Sequence, residues 1–129
     1  MTEPRTGRAL IDATRPFAKE NRARSWWYVA STFTLLIALL VAAGGLDAHW
    51  TVRTLLAVVG GLTAVRTFIL YHDYLHGAIL RGSKLAKAIF WAFGQFILTP
   101  TRVWKQTHNY HHAHTAKIVG ASIGSFPVL

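Results

Sequence analysis

Two clusters of histidine are the residues of this 129-residue chain whose type and spacing could do chemistry. They occupy residues 72–76 (HDYLH) and 108–112 (HNYHH). Positions three and four apart share one face of a helix, so helical backbone would aim the rings of each cluster in one direction. Imidazole is the commonest metal ligand among side chains, and five of the seven histidines lie in these clusters. The pattern therefore predicts a polyhistidine metal site.

The ligand types narrow the choice of metal. Nitrogen ligation suits iron, zinc, copper or nickel and disfavours magnesium and calcium. The chain has no cysteine, which excludes thiolate sites, disulfides and a cysteine nucleophile. A membrane zinc protease would carry His-Glu-x-x-His, but here Asp73 follows the first histidine directly and nothing acidic lies between His108 and His112. Five histidines exceed the three or four ligands of a single zinc site, so the pattern favours two metals.

The elements that must position these residues resemble those of a membrane protein. Hydrophobic residues make up 52% of the chain and charged residues 15%, against roughly 25% charged in soluble domains. Residues 26–46 contain no charge and begin with three aromatic rings, as expected for a membrane-spanning helix. A second apolar segment, 52–71, carries Arg53 at its edge and Arg66 deeper, where it needs a partner or water. We expect a helical hairpin, and a cleaved signal peptide is disfavoured because the apolar run is too long.

The remaining segments set the expected topology. Residues 85–98 are apolar but interrupted by Lys87 and Gln95, which favours an interfacial or re-entrant helix ending before Pro100. Six basic residues precede the first span, six follow the second, and none lies in the loop between the spans. The positive-inside rule therefore places the N-terminus and both histidine clusters on the cytoplasmic side. The net charge of +9 is explained by this topology and by anionic lipid headgroups, with no motif for nucleic acid.

Specific motifs add a family resemblance. The segment HDYLHG at 72–77 resembles a first histidine box, H-x-x-x-H, and HNYHH at 108–112 resembles a second, H-x-x-H-H. The stretches TRPFA at 14–18, SWW at 25–27 and GSFPVL at 124–129 resemble the flanking segments of the same family. The chain thus resembles the amino-terminal part of a membrane fatty acid desaturase, in the integral-membrane di-iron desaturase and hydroxylase superfamily. The expected fold is all-α: a membrane hairpin plus interfacial helices bearing the histidine boxes.

The resemblance implies two irons, dioxygen as co-substrate, oxidation of a fatty acyl chain, and a ferredoxin-like or cytochrome-like electron donor. By motif position, the implied iron ligands are His72, His76, His108, His111 and His112. Asp73 is the best candidate to orient a ligand imidazole by accepting its N–H, although a solvated or capping acid is equally compatible. His114 could extend the second box, but as an extra histidine it is expected either to orient a ligand from outside the ligand set or to lie at the surface. His49 is expected to be structural. Trp104 and Tyr110 are expected to pack at the interface rather than to line a substrate path.

One departure from the family bears on activity. The third box, another H-x-x-H-H, is not present in these 129 residues. We therefore expect a partial desaturase domain, comprising a leader (1–25), two spans (26–46 and 52–71) and a histidine-box region (72–129), that is inactive alone. Three alternatives stay open: a small zinc- or copper-binding membrane protein, one half of a split enzyme, and, within the family, a hydroxylase or ketolase.

Overall fold

The structure is a computed structural model that describes residues 6–113. Over that range all regular secondary structure is helical and no strand occurs, which confirms the all-α fold. A short α1 and a 3₁₀ turn precede two long helices, α2 and α3, and two shorter helices, α4 and α5, follow. Their bounds are Gly7–Thr14 for α1, Arg15–Ala18 for the 3₁₀ turn, Arg22–Gly45 for α2, Trp50–Leu75 for α3, Lys84–Phe96 for α4 and Thr101–Ala113 for α5.

The chain divides into two compact units, Met1–Arg81 and Gly82–Leu129. The first unit contains α1, the 3₁₀ turn and the hairpin formed by α2 and α3. The second contains α4 and α5. Each unit carries one of the two histidine boxes.

Each helix of the hairpin in the first unit begins with a side-chain cap. Asn21 caps α2 by accepting a hydrogen bond from the Arg24 N–H at 3.0 Å. Four residues join α2 to α3, and His49 caps α3 by accepting from the Thr51 N–H at 3.4 Å. Both caps satisfy amide groups that the first turn of a helix leaves without a partner. His49 therefore has the structural position expected of it.

Small and hydroxyl-bearing side chains dominate the surface where α2 and α3 meet. The hydroxyls of Thr63 and Thr67 each donate to the carbonyl four residues earlier, at 2.8 and 2.9 Å, so they are satisfied inside their own helix. Such residues let membrane helices approach closely. The buried residues are Ser25, Val29, Thr32 and Leu36 on α2, and Gly60, Thr63, Thr67, Leu70 and Tyr71 on α3.

The outer surface of the hairpin is apolar. Both helices, 24 and 26 residues long, are long and apolar enough to cross a membrane. Large hydrophobic side chains lie exposed along both of them, among them Leu35, Ile37, Val41, Leu55, Leu62 and Ile69. A pair of helices that buries small and hydroxyl-bearing residues and exposes large apolar side chains is suited to lipid surroundings, in agreement with the expected membrane hairpin.

The two arginines of α3 find partners in α2. Arg66 donates from Nε to the Thr32 hydroxyl at 3.1 Å, and its guanidinium lies 5.9 Å from the centre of the Tyr28 ring. This supplies the partner that a cation in an apolar helix requires. Arg53 donates from Nε to the Ala43 carbonyl at 3.2 Å. It thereby satisfies a carbonyl in the last turn of α2.

The second unit contains two helices separated by a sharp stop. Ser83 caps α4 by accepting from the Ala86 N–H at 3.2 Å. The helix ends with Leu98 in a left-handed conformation (φ 56°), while the Thr99 N–H bonds to the Gly94 carbonyl at 2.8 Å. Pro100 follows and cannot continue the helix. The helix expected over 85–98 is thus present, and its position at a membrane surface stays a prediction.

Candidate metal centre

The first histidine box lies at the carboxyl end of α3. The expected span ended at residue 71, but the helix continues to Leu75 because nothing in the box disrupts it. His72 therefore lies on the last turn and His76 is the cap residue. Their rings approach edge to face, with centroids 4.4 Å apart and planes inclined at 63°. The four-residue spacing brings these two rings together, as the sequence predicts.

Gly77 ends the helix immediately after the box. It has a φ of 71°, and the Gly77 N–H bonds to the Tyr74 carbonyl at 2.9 Å. The next amide, of Ala78, bonds to the Asp73 carbonyl at 2.9 Å. These two bonds form a Schellman cap, which requires a left-handed residue at this position and favours glycine there. The glycine of the HDYLHG motif thus fixes the backbone around His76.

Gly77→Ala will weaken this helix end. An alanine side chain would meet only an ordinary contact, with Arg81 Cδ at 3.9 Å, so the penalty is conformational and amounts to about 1 kcal/mol. Gly61→Ala is the matched control, because a side chain there meets nothing within 4 Å and helical backbone favours alanine. Thermal unfolding in detergent should show a lower midpoint for Gly77→Ala alone. Equal midpoints for both variants would refute the capping role of Gly77.

Asp73 contacts the first ligand candidate. Its Oδ1 lies 3.1 Å from His72 Nδ1, and both side chains are partly exposed. A carboxylate in that position favours the imidazole tautomer protonated at Nδ1, which leaves Nε2 as the atom suited to a metal. This is the contact that the sequence suggested for Asp73, and its role in orienting a ligand stays a prediction.

The second box lies on α5, where helical spacing gathers its rings. His108 Nε2 and His112 Nε2 are 2.9 Å apart, and the His111 ring centroid lies 6.1 Å from that of His108. Two neighbouring nitrogen ligands at about 2.1 Å from one octahedral ion are roughly 3.0 Å apart. The His108 and His112 nitrogens are at hydrogen-bond distance from each other, and a shared metal ion would accept the same separation. His114 lies outside the described residues.

Trp104 stacks on the second box. Its ring centroid is 4.1 Å from that of His108 and the two planes differ by 18°. Stacking of this kind restricts rotation of the imidazole and so fixes the direction in which its nitrogens point. The sequence predicts that Trp104 packs at the interface, and this prediction does not include its contact with a candidate ligand. The signal was present, because positions 104 and 108 are four apart on one helix.

Comparison with known proteins identifies relatives of one kind. The chain is 33% identical to a probable fatty acid desaturase of Sorghum bicolor over 89 residues, and 32% identical to a chloroplastic omega-3 fatty acid desaturase of Glycine max over 91 residues. It is also 24% identical over 110 residues to a fatty acid desaturase of Bacillus subtilis. These matches cover 69%, 70% and 84% of the chain.

The similarity covers only part of each relative. The chain spans 23% of the length of the Sorghum bicolor protein, 20% of the Glycine max protein and 31% of the Bacillus subtilis protein. No protein-family model matches the chain, and no solved structure matches it. The relatives agree with the two histidine boxes and the all-helical hairpin in pointing to one family. The chain therefore belongs to the fatty acid desaturase family, whose members it matches over a segment of their length.

Proposed function

We propose that the chain supplies histidine ligands to a di-iron site that carries out the oxygen-dependent oxidation of fatty acyl chains. The observation that carries this proposal is the pair of histidine boxes, each with its rings gathered on one helix, in a chain related to fatty acid desaturases. The expected iron ligands are His72, His76, His108, His111 and His112. Bound iron would supply the redox chemistry by which dioxygen oxidises an unactivated carbon–hydrogen bond.

The side chains around the boxes would hold and orient these ligands. Asp73 would keep the proton of His72 on Nδ1, and Trp104 would restrict rotation of the His108 ring. Gly77 would fix the backbone of His76 at the end of α3. The hairpin of α2 and α3 would anchor the first box where a membrane meets water, within reach of a lipid acyl chain.

The topology and the electron supply belong to the same proposal. We propose that the N-terminus and both boxes face the cytoplasm, as the distribution of basic residues predicts. A ferredoxin-like or cytochrome-like donor would then deliver electrons from that side. The basic surface of the chain would suit an acidic carrier protein.

Disruption of the coding region in the source organism tests the function. We expect one class of unsaturated or oxygenated fatty acid to fall and its more saturated precursor to accumulate, as measured by gas chromatography of total lipid. Restoring the intact coding region should restore the profile, whereas an allele carrying His112→Ala should not. An unchanged acyl profile, with altered zinc or copper content instead, would favour the metal-binding alternative.

A further inference from the structure

The end of the leader and the first residue of α2 hold the loop that follows the first histidine box. The Leu80 N–H donates to Oε1 of Glu20 at 2.6 Å, and Arg22 Nη1 donates to the Arg81 carbonyl at 3.2 Å. The paired residues are 60 and 59 positions apart in the sequence. We call this pair of hydrogen bonds the leader clasp. It lies wholly within the first unit.

The hydrogen bond to Glu20 supplies an acceptor for a buried amide of the loop. Leu80 is fully buried and has a φ of 50°, a conformation that costs free energy for any residue with a branched side chain. The amide of this buried residue requires an acceptor, and the exposed Glu20 side chain supplies it. The pKa of Glu20 lies below its ordinary value, chiefly because the carboxylate accepts this amide. The carboxylate therefore stays ionised, and a strong acceptor, throughout the neutral pH range.

The clasp acts four residues from a proposed metal ligand. Between His76 and Leu80, the Ala78 amide closes the Schellman cap on the Asp73 carbonyl. Because this stretch is short, a displacement of Leu80 is transmitted to the cap and to the backbone of His76. We propose that Glu20 is a positioning residue, which fixes the loop after the first box and thereby the orientation of His76. This inference rests on the proposed function in that His76 is a metal ligand.

Hydrogen exchange of the metal-free full chain in lipid nanodiscs tests whether Glu20 holds the loop after the first box. For Glu20→Ala we expect roughly tenfold faster exchange of the Leu80 amide, with a smaller acceleration at Ala78. Glu20→Gln keeps an acceptor oxygen and should restore part of the protection. Asp12→Asn is the matched control, because that leader carboxylate pairs with the exposed Arg15 at 3.5 Å. This variant should leave both amides unchanged.

Iron binding by the same variants tests whether Glu20 thereby orients His76 as a metal ligand. We expect Glu20→Ala to weaken ferrous iron binding several-fold, Glu20→Gln to recover part of it, and Asp12→Asn to match the wild type. Unchanged exchange at Leu80 and Ala78 in Glu20→Ala would overturn the clasp. Faster exchange with unchanged iron affinity would overturn the positioning role. A wild-type chain that binds no iron would overturn that role together with the proposed function, whereas the exchange data would still decide the clasp.

Discussion

Replacing either His108 or His112 by alanine will lower the affinity of the chain for ferrous iron by at least roughly a hundredfold. The two Nε2 atoms lie 2.9 Å apart, so each variant removes one nitrogen of the pair that we propose to share an ion. Loss of a ligand is expected to exceed the loss caused by changing a neighbour that merely orients one. Competition with a chelator of known affinity, under anaerobic conditions, measures the effect.

His49→Ala is the control for this prediction. His49 caps α3 through the Thr51 amide and lies outside both boxes, so its loss should leave iron affinity unchanged. It should lower the stability of α3 by about 1 kcal/mol at most. Iron affinities that fall equally in His49→Ala and His112→Ala would indicate non-specific binding to exposed histidines and would contradict a site built from the boxes.

Leu36→Ala will destabilise the hairpin of α2 and α3, whereas Leu35→Ala will not. Leu36 is 5% exposed and lies on the buried face of α2, while its neighbour Leu35 is 50% exposed on the outer surface. Truncation of a buried leucine leaves a cavity and removes many van der Waals contacts, which costs about 2 kcal/mol or more. In a membrane these contacts carry the association of helices, because lipid solvates an outward leucine as well as the protein does.

Unfolding in mixed micelles of increasing dodecyl sulfate content measures the difference. The two variants remove the same atoms from adjacent positions of one helix, so propensity and hydropathy are matched. A Leu36→Ala transition at clearly lower denaturant than that of Leu35→Ala supports the packing described. Coincident transitions would show that the face of α2 which carries Leu36 is not the one that contacts α3.

The sequence predicted those features that depend on neighbours along one helix. The uncharged run at 26–46 predicted α2, and the four-residue spacing of His72 and His76 predicted rings on one face. Pro100 likewise predicted that the preceding helix, α4, ends before it. Gly77 directly follows the first box in the sequence, but its function as the left-handed cap is evident only from the hydrogen bonds of the structure. Local patterns fix local backbone, and that backbone carries each box.

Features that join distant parts of the chain were beyond prediction. The need of Arg66 for a partner was evident, yet Thr32 lies 34 residues away and is one of many hydroxyls in α2. The bond from Leu80 to Glu20 spans 60 residues, and the need for it arises only because Leu80 is buried in a left-handed conformation. No pattern within a helical turn encodes such contacts, since they depend on how helices pack.

Mössbauer spectroscopy of the chain reconstituted with isotopically enriched iron tests the central proposal most directly. If both boxes hold two irons, the ions should form a pair that is magnetically coupled after oxidation. The coupling should vanish when either His72 or His112 is replaced by alanine. Coupling requires a ligand that bridges the two ions, and on this proposal the histidines of both boxes hold the ions close enough for one. Iron that binds as isolated, uncoupled ions, or a chain that takes up zinc and excludes iron, would contradict the account.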